Sequence, residues 1–165
     1  MRKLLVAAVC AVALTVTGYA QKKPDFNGTW VPDAAATSGA NAAPAGGAAG
    51  ASASAGGTEL VIKQTADTFV IDRKGPSGTQ TQNYKLNGAE QEVVVGQLKM
   101  KAKPRWDGDK IVVEITRPAQ DGTMFTTTTT YSIDKDGLLW QETPTSMGTR
   151  KVAYKKKPAA APKKL

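Results

Sequence analysis

The clearest alternation of apolar and polar positions in the chain runs from Trp106 to Trp140. Within residues 111–117, Ile111, Val113 and Ile115 take every second position, and more polar residues take the positions between them. Successive side chains of a strand point to opposite faces, so one face of this segment is apolar. The pattern therefore predicts a half-buried β-strand.

The segment that follows, Phe125–Ile133, is rich in threonine, whose branched Cβ fits a pleated strand better than a helix. The dipeptides Asp107-Gly108 and Asp136-Gly137 lie on either side, and Asp and Gly both tolerate the positive φ of tight turns. Strand, tight turn and strand in succession predict an antiparallel meander.

The same pattern recurs through most of the chain. The other predicted strands begin near Gly28 and span residues 59–64, 68–73, 80–86, 90–95, 98–106, 138–140 and 149–155. Such short strands at roughly 8–12-residue spacing predict an all-β fold. We expect an antiparallel up-and-down meander barrel of about 8–10 strands, which leaves no sheet edge exposed.

The first twenty residues have the pattern of a cleavable export signal. Arg2 and Lys3 precede an apolar stretch over residues 4–16, and residues 18–20 form a small-x-small cleavage site. The apolar stretch is shorter than the roughly 20 residues that a membrane-spanning helix needs. We therefore predict a periplasmic or secreted protein whose mature chain begins at residue 21.

One barrel domain is expected over residues 21–157. Residues 33–57 are almost entirely Ala, Gly and Ser, and we predict a flexible insertion there, because the glycines and Pro44 oppose a helix. Residues 158–165 are predicted to be a disordered tail rich in Lys, Pro and Ala. Loss of Arg2 and Lys3 lowers the net charge from +8 to +6. Lysines at the C-terminus carry most of that charge, and weak contact with an anionic surface is their alternative role.

Residue types also limit the chemistry. The chain has no histidine, and its one cysteine, Cys10, lies inside the predicted signal. The mature chain therefore lacks the commonest general base, a thiol nucleophile and the usual zinc ligands. A calcium loop beginning at Asp134 would need Glu at position twelve, where Thr145 stands. We predict no enzyme activity, no cofactor, no metal site and no specific binding of nucleic acid.

Several short motifs resemble a known family. Gly28-Thr29-Trp30, behind an export signal and at the start of the first strand, resembles the Gly-x-Trp signature of the lipocalin and calycin group. The wider pattern, which resembles exported lipocalin-like barrels of bacteria, comprises residues 25–30, 106–109, 131–138 and 152–155. The resemblance implies a small antiparallel barrel of the kind that often holds an apolar ligand.

The resemblance also implies roles at the closed end of the barrel. In lipocalins the tryptophan closes the barrel floor, and a late basic residue packs across it. Gly28 and Trp30 would form this structural floor, and Arg150 would lie over Trp30 in a cation–π contact, with Lys151 as the alternative.

Two functional hypotheses remain open. In the first, the barrel carries or senses a small apolar molecule. Its lumen would be lined by Leu60, Ile62, Phe69, Ile71, Tyr84, Ile111, Val113, Phe125, Tyr131 and Trp140. In the second, the protein is a non-enzymatic structural or interaction protein of the cell envelope, with a packed core and contacts through the tail or the insertion. Lumen size separates the two, because about eight strands leave an interior that is just filled or fits one small ligand.

Overall fold

A computed structural model describes residues 23–40, 58–76, 78–95, 98–119, 121–146 and 148–158 of the chain. The predicted signal peptide (1–20), most of the predicted insertion (33–57) and nearly all of the predicted tail (158–165) lie outside these residues. The described elements are β1 (Gly28–Pro32), α1 (Ala34–Ala40), β2 (Glu59–Gln64), β3 (Thr68–Gly75), β4 (Gly78–Lys85), β5 (Gln91–Val95), β6 (Leu98–Asp107), β7 (Lys110–Pro118), β8 (Met124–Ile133), β9 (Leu139–Thr145) and β10 (Gly148–Lys156).

The strands form one antiparallel sheet in the order β4-β3-β2-β1-β10-β9-β8-β7-β6-β5. Because β1 pairs with β10, the meander curls into a nearly closed barrel. The predicted all-β, up-and-down meander barrel is confirmed. β4 and β5 stand at the two ends of this order, and a side chain joins them. Gln91 Oε1 accepts from the Lys85 amide at 3.1 Å, and Gln91 Nε2 donates to the Asn83 carbonyl at 3.4 Å.

The alternation in the central stretch sets which side chains enter the core. β7 pairs with β8 in a register that joins Ile111 to Tyr131 and Val113 to Thr129. All four of these side chains are buried. Glu114 takes the opposite face, with an oxygen 3.9 Å from a guanidinium nitrogen of Arg105 on β6.

Connections between strands alternate between the two ends of the barrel. One end, which we call the floor, carries the N-terminal segment 23–27 and the turns that follow β2, β4, β6 and β8. The other end, which we call the mouth, carries the connection after β1 and the turns that follow β3, β5, β7 and β9. Strands β3 and β8 lie five places apart in the ten-strand order, on opposite sides of the barrel.

Aromatic side chains fill the floor half of the interior. Phe26 meets Phe69 edge-on with ring centroids 5.7 Å apart, and Phe69 meets Tyr131 at 5.3 Å. The indole of Trp30 donates to the Phe26 carbonyl at 2.9 Å. Phe26, Trp30 and Phe69 are buried, so this half of the barrel is a packed core.

Helix α1 lies inside the region predicted to be a flexible insertion, where the glycines and Pro44 were expected to oppose a helix. Asp33 caps the helix, because its Oδ1 accepts from the Ala36 amide at 3.1 Å and its carbonyl accepts from the Thr37 amide at 3.0 Å. Thr37 Oγ1 accepts from the Ala153 amide of β10 at 3.0 Å. The cap and the contact with Ala153 stabilise the helix that the alanines of this short segment favour.

The turn that begins at Asp134 has the hairpin geometry expected from its composition. Its Oδ1 accepts from the amides of Asp136 and Leu138, both at 2.9 Å, and its Oδ2 accepts from the indole of Trp140 at 2.7 Å. Among the described residues, no group of three or more His, Cys, Asp or Glu side chains is placed to hold a metal ion. Within the part of the chain that the structure describes, no helix has the length and apolar character needed to cross a membrane.

Candidate functional site

A cavity of about 460 Å³ opens at the mouth of the barrel. It exists because β1 is short: its pairing with β10 ends where Pro32 meets Tyr154. Residues 148–152 of β10 therefore have no described strand on that side. The lining residues from β2, β3 and β4 and their ends are Thr58, Arg73, Gly75, Pro76, Gly78 and Gln80, and those from β9 and β10 are Gln141, Thr143, Arg150, Val152 and Tyr154.

Arg73 forms the base of this cavity. It follows Phe69 and Ile71 at every second position of β3, so it points inward with them. Its Nη2 donates to the Tyr131 hydroxyl of β8 at 3.0 Å and to Gln141 Oε1 of β9 at 3.2 Å. These contacts cross the interior, separating the packed floor half from the open mouth half.

The charge of Arg73 meets only neutral partners there. Among the described residues, no carboxylate oxygen lies within 4.0 Å of a guanidinium nitrogen of Arg73 or of Arg150. Burial alone would lower the pKa of Arg73, but the phenol oxygens of Tyr131, Tyr154 and Tyr84 raise it overall. Arg73 is therefore a cation at any ordinary pH.

The tyrosines around Arg73 do not cancel its charge. Burial raises the pKa of Tyr84 well above the ordinary phenol value. Burial also raises the pKa of Tyr154, although Arg73 opposes that shift. Both phenols therefore stay neutral at physiological pH and offer dipoles rather than a counter-ion.

The cation over the floor tryptophan is Lys156. Its Nζ lies 5.5 Å from the centre of the Trp30 ring. Arg150, which the sequence placed there, lines the cavity at the mouth instead. The reason is register: Trp30 pairs with Lys156, whereas Arg150 lies six residues earlier on β10 and pairs with Thr143. The side chain of Lys156 also runs close to the backbone of Gly28, where an added Cβ would lie 2.7 Å from Lys156 Cε.

The predicted lumen residues do not line the cavity. Eight of them are buried in the core, namely Leu60, Ile62, Phe69, Ile71, Tyr84, Ile111, Val113 and Tyr131. Phe125 is exposed at the mouth. Trp140 follows Leu139, which is buried and points inward, so Trp140 points outward. There its indole donates a hydrogen bond to the Asp134 carboxylate. Of the ten, Tyr131 reaches a lining residue through its hydrogen bond to Arg73. Their contact with a ligand stays a prediction.

Sequence reasoning missed the polar members of the site, above all Arg73 and Gln141. The sequence did contain a sign that Arg73 points inward, because it occupies every second position after the apolar Phe69 and Ile71. It stands next to Lys74 and a turn cluster, however, where a basic residue ordinarily faces water. Gln141 lies beyond the predicted end of its strand at residue 140, so its inward position was hidden.

Comparison with known proteins identifies the fold. No family model matches the sequence, and no curated protein matches it significantly. Among solved structures, human cRBP IV aligns with a TM-score of 0.56 at 18% identity, covering 81% of this chain and 99% of its own. A mutant of the fluorescent protein UnaG aligns with a TM-score of 0.56 at 24% identity, covering 81% of this chain and 97% of its own. The fold is that of a lipocalin-like, calycin-type barrel.

Proposed function

We propose that this barrel binds a small amphiphilic organic acid, whose anionic group would sit on Arg73 in the mouth cavity. The observation that carries the proposal is an inward-facing, permanently charged guanidinium at the base of a cavity, whose contacts among the described residues are all with neutral groups. The lining polar groups argue against the purely apolar ligand that the sequence suggests. Arg150 on β10, which also lines the cavity, adds a second positive charge.

Arg73 is partly buried, and the energetics of a partly buried charge favour an anion at this position. A cation removed from water without a counter-ion is costly, and neutral hydrogen-bond partners offset only part of that cost. A carboxylate can accept two parallel hydrogen bonds from one guanidinium, and such charge-assisted bonds are stronger than neutral ones. The carboxylate of a bound ligand would thus supply the negative charge that the described residues around Arg73 lack.

The apolar part of the ligand also has a surface to contact. Ile115 on β7 and Phe125 on β8 occupy inward positions toward the mouth, and Val95 ends β5 on the same face. Ile115 and Val95 are partly buried against the core. Because β8 lies opposite β3, this apolar wall faces Arg73 across the mouth. A cavity of about 460 Å³ falls in the range of small-molecule sites.

Binding rather than catalysis, at an exported location, completes the proposal. The chain contains no histidine, so the commonest general base is missing. The apolar stretch of residues 4–16 behind Arg2 and Lys3 supports export to the periplasm or medium.

Calorimetry with matched ligands tests the proposal. Decanoate and decanol have the same chain length and differ in charge. We expect wild type to bind decanoate more tightly than decanol. Substitution of Arg73 by Gln should weaken decanoate binding by about tenfold to a hundredfold, the scale of hydrogen bonds to a charged group. Arg105→Gln, which alters an exposed arginine on the outer wall, is the matched control and should leave binding unchanged.

Three other outcomes would reject the proposal that the ligand is an organic acid held by Arg73. Equal affinity for both ligands, unchanged in Arg73→Gln, would favour an apolar ligand. Equal losses in Arg73→Gln and Arg105→Gln would remove the special role of Arg73. No binding across a panel of acids and alcohols would favour the alternative, a structural or interaction protein of the cell envelope.

A further inference from the structure

Three large apolar side chains are exposed at the mouth, away from the lining of the cavity. Leu98 is the first residue of β6 and is 61% exposed. Met124 and Phe125 begin β8 and are 60% and 52% exposed. Well-exposed apolar residues that cluster on one surface of a soluble domain mark sites of contact. We call these three residues the apolar rim.

The register of the sheet brings the apolar rim together. β6 pairs with β7, and β7 pairs with β8, so the tips of the two hairpins are neighbours. Met124 pairs with Pro118, the last residue of β7. The register that joins Lys101 to Thr116 places Leu98 level with Ala119, just past the end of β7. The rim therefore forms a row along one side of the barrel mouth.

Positive charge accompanies this row. Arg117 pairs with Phe125, and its guanidinium carbon lies 5.7 Å from the centre of the phenyl ring. Among the described residues, no carboxylate makes a salt bridge to Arg117 or to Arg150 at the same end. Of the nearby acidic residues, Glu59 is paired with Lys74 and Lys157. Asp121 in the turn after β7 keeps its negative charge, because hydrogen bonds from the Thr123 hydroxyl and amide lower the pKa of its carboxyl.

We propose that the mouth docks on the surface of an anionic lipid bilayer, with the apolar rim inserted among the headgroups and Arg117 on lipid phosphates. Apolar side chains beside Arg117, a cation with no carboxylate partner among the described residues, match the two parts of such an interface. A protein partner fits less well, because two hairpin tips beside an open cavity offer far less area than a stable protein interface buries. None of the three rim residues lines the Arg73 cavity. Phe125 also belongs to the apolar wall of the proposed ligand site, but docking on a bilayer does not require a ligand.

Vesicle sedimentation with the protein recovered from its host tests the proposal. Intact mass would establish that every variant has the same N-terminus. The vesicles are phosphatidylcholine alone or with about 30 mol% phosphatidylglycerol. We expect binding to the anionic vesicles only, falling as salt rises. Met124→Ser/Phe125→Ser should lower the partition coefficient about tenfold, and Arg117→Gln about fivefold, the scale of one cation near an anionic surface.

Matched controls separate the mouth from other surfaces. Val94→Ser removes an exposed apolar side chain from the outer wall, because Val94 alternates with the inward Val93. Lys135→Gln removes a cation at the floor. Lys163→Gln/Lys164→Gln removes charge from the C-terminal tail. All three controls should bind like wild type. We expect every variant to fold, because only exposed or terminal side chains change.

The proposal fails if the rim variants bind like wild type, or if the tail variant accounts for the loss. It also fails if wild type binds neutral and anionic vesicles equally. Sedimentation equilibrium without vesicles gives a further arm: a wild-type dimer that Met124→Ser/Phe125→Ser converts to monomer would assign the apolar rim to a second copy of this chain instead.

Discussion

The hydroxyl of Tyr131 accepts a hydrogen bond from Arg73 Nη2 at 3.0 Å, across the interior of the barrel from β8 to β3. This contact divides the interior into two parts. On the floor side, Phe69 and Phe26 fill the space with edge-on aromatic contacts. On the mouth side, Arg73 faces a cavity. One barrel thus combines the packed core of the structural hypothesis with a chamber suited to a ligand.

Removal of the Tyr131 hydroxyl tests this contact. We expect Tyr131→Phe to lower the free energy of unfolding by about 1–3 kcal/mol, because Arg73 loses a buried partner. In Arg73→Leu the same tyrosine substitution should cost less, because the donor is already gone. Urea unfolding of the two single variants and the double variant measures the coupling. Strictly additive effects would contradict the contact.

Acid stability should depend on Asp134. Burial acts to raise the pKa of this carboxyl, but hydrogen bonds from the Trp140 indole and from the amides of Leu138 and Asp136 lower it overall. A pKa lower in the folded state gives stability that is present above the unfolded pKa of about 3.9 and is lost as the pH falls through the folded pKa.

We therefore expect Asp134→Asn to unfold more easily than wild type at neutral pH, by about 1–2 kcal/mol. The difference should shrink below about pH 4, where the wild-type carboxyl takes up a proton. Urea unfolding of both proteins over this pH range measures the two effects. A difference that stays constant with pH would show that the Asp134 charge makes no contribution.

The side chain of Gln91 should protect the open edge between β4 and β5. It supplies an acceptor to the Lys85 amide and a donor to the Asn83 carbonyl, as a neighbouring strand would. We expect Gln91→Ala to speed hydrogen exchange at the Lys85 amide by at least about tenfold. Exchange at amides of β9, which stands near the middle of the strand order, is the internal control. Unchanged exchange at Lys85 would mean that the glutamine does not hold the edge.

Gly28 should be the least replaceable residue of the floor. Its φ is +136°, and a Cβ built there would lie 2.7 Å from Lys156 Cε. We expect Gly28→Ala to cost about 1–3 kcal/mol, mainly from backbone strain. Adding Lys156→Ala removes the clash but not the strain, so it should recover only part of the loss. Thermal unfolding of both variants measures this, and full recovery would place the cost in the clash alone.

Most of the fold was predictable because it rests on local patterns. The alternation of Ile111, Val113 and Ile115 and the Asp-Gly turns gave β7 and its neighbours almost residue by residue. Parity also placed Glu114 on the outer face. Such features need no knowledge of distant residues, since a strand and its turn carry their own period and backbone preferences.

The site was less predictable because it depends on pairing between distant residues. Arg73 reaches Tyr131, 58 residues later in the chain, and no local pattern predicts that contact. The same cause explains why Lys156, and not the predicted Arg150, lies over Trp30. Only the register between β1 and β10 decides which cation contacts the ring. Helix α1 depended on a side chain of Asp33 and on the distant Ala153.

The most direct test of the central claim is a ¹³C NMR titration of carboxyl-labelled decanoate bound to the protein. If the carboxylate lies against Arg73, its pKa in the complex should fall clearly below that of free decanoate, because the adjacent cation favours the charged form. Arg73→Gln should remove that shift in whatever ligand stays bound. A bound carboxyl that titrates at or above the free value in wild type would contradict an anion site at Arg73.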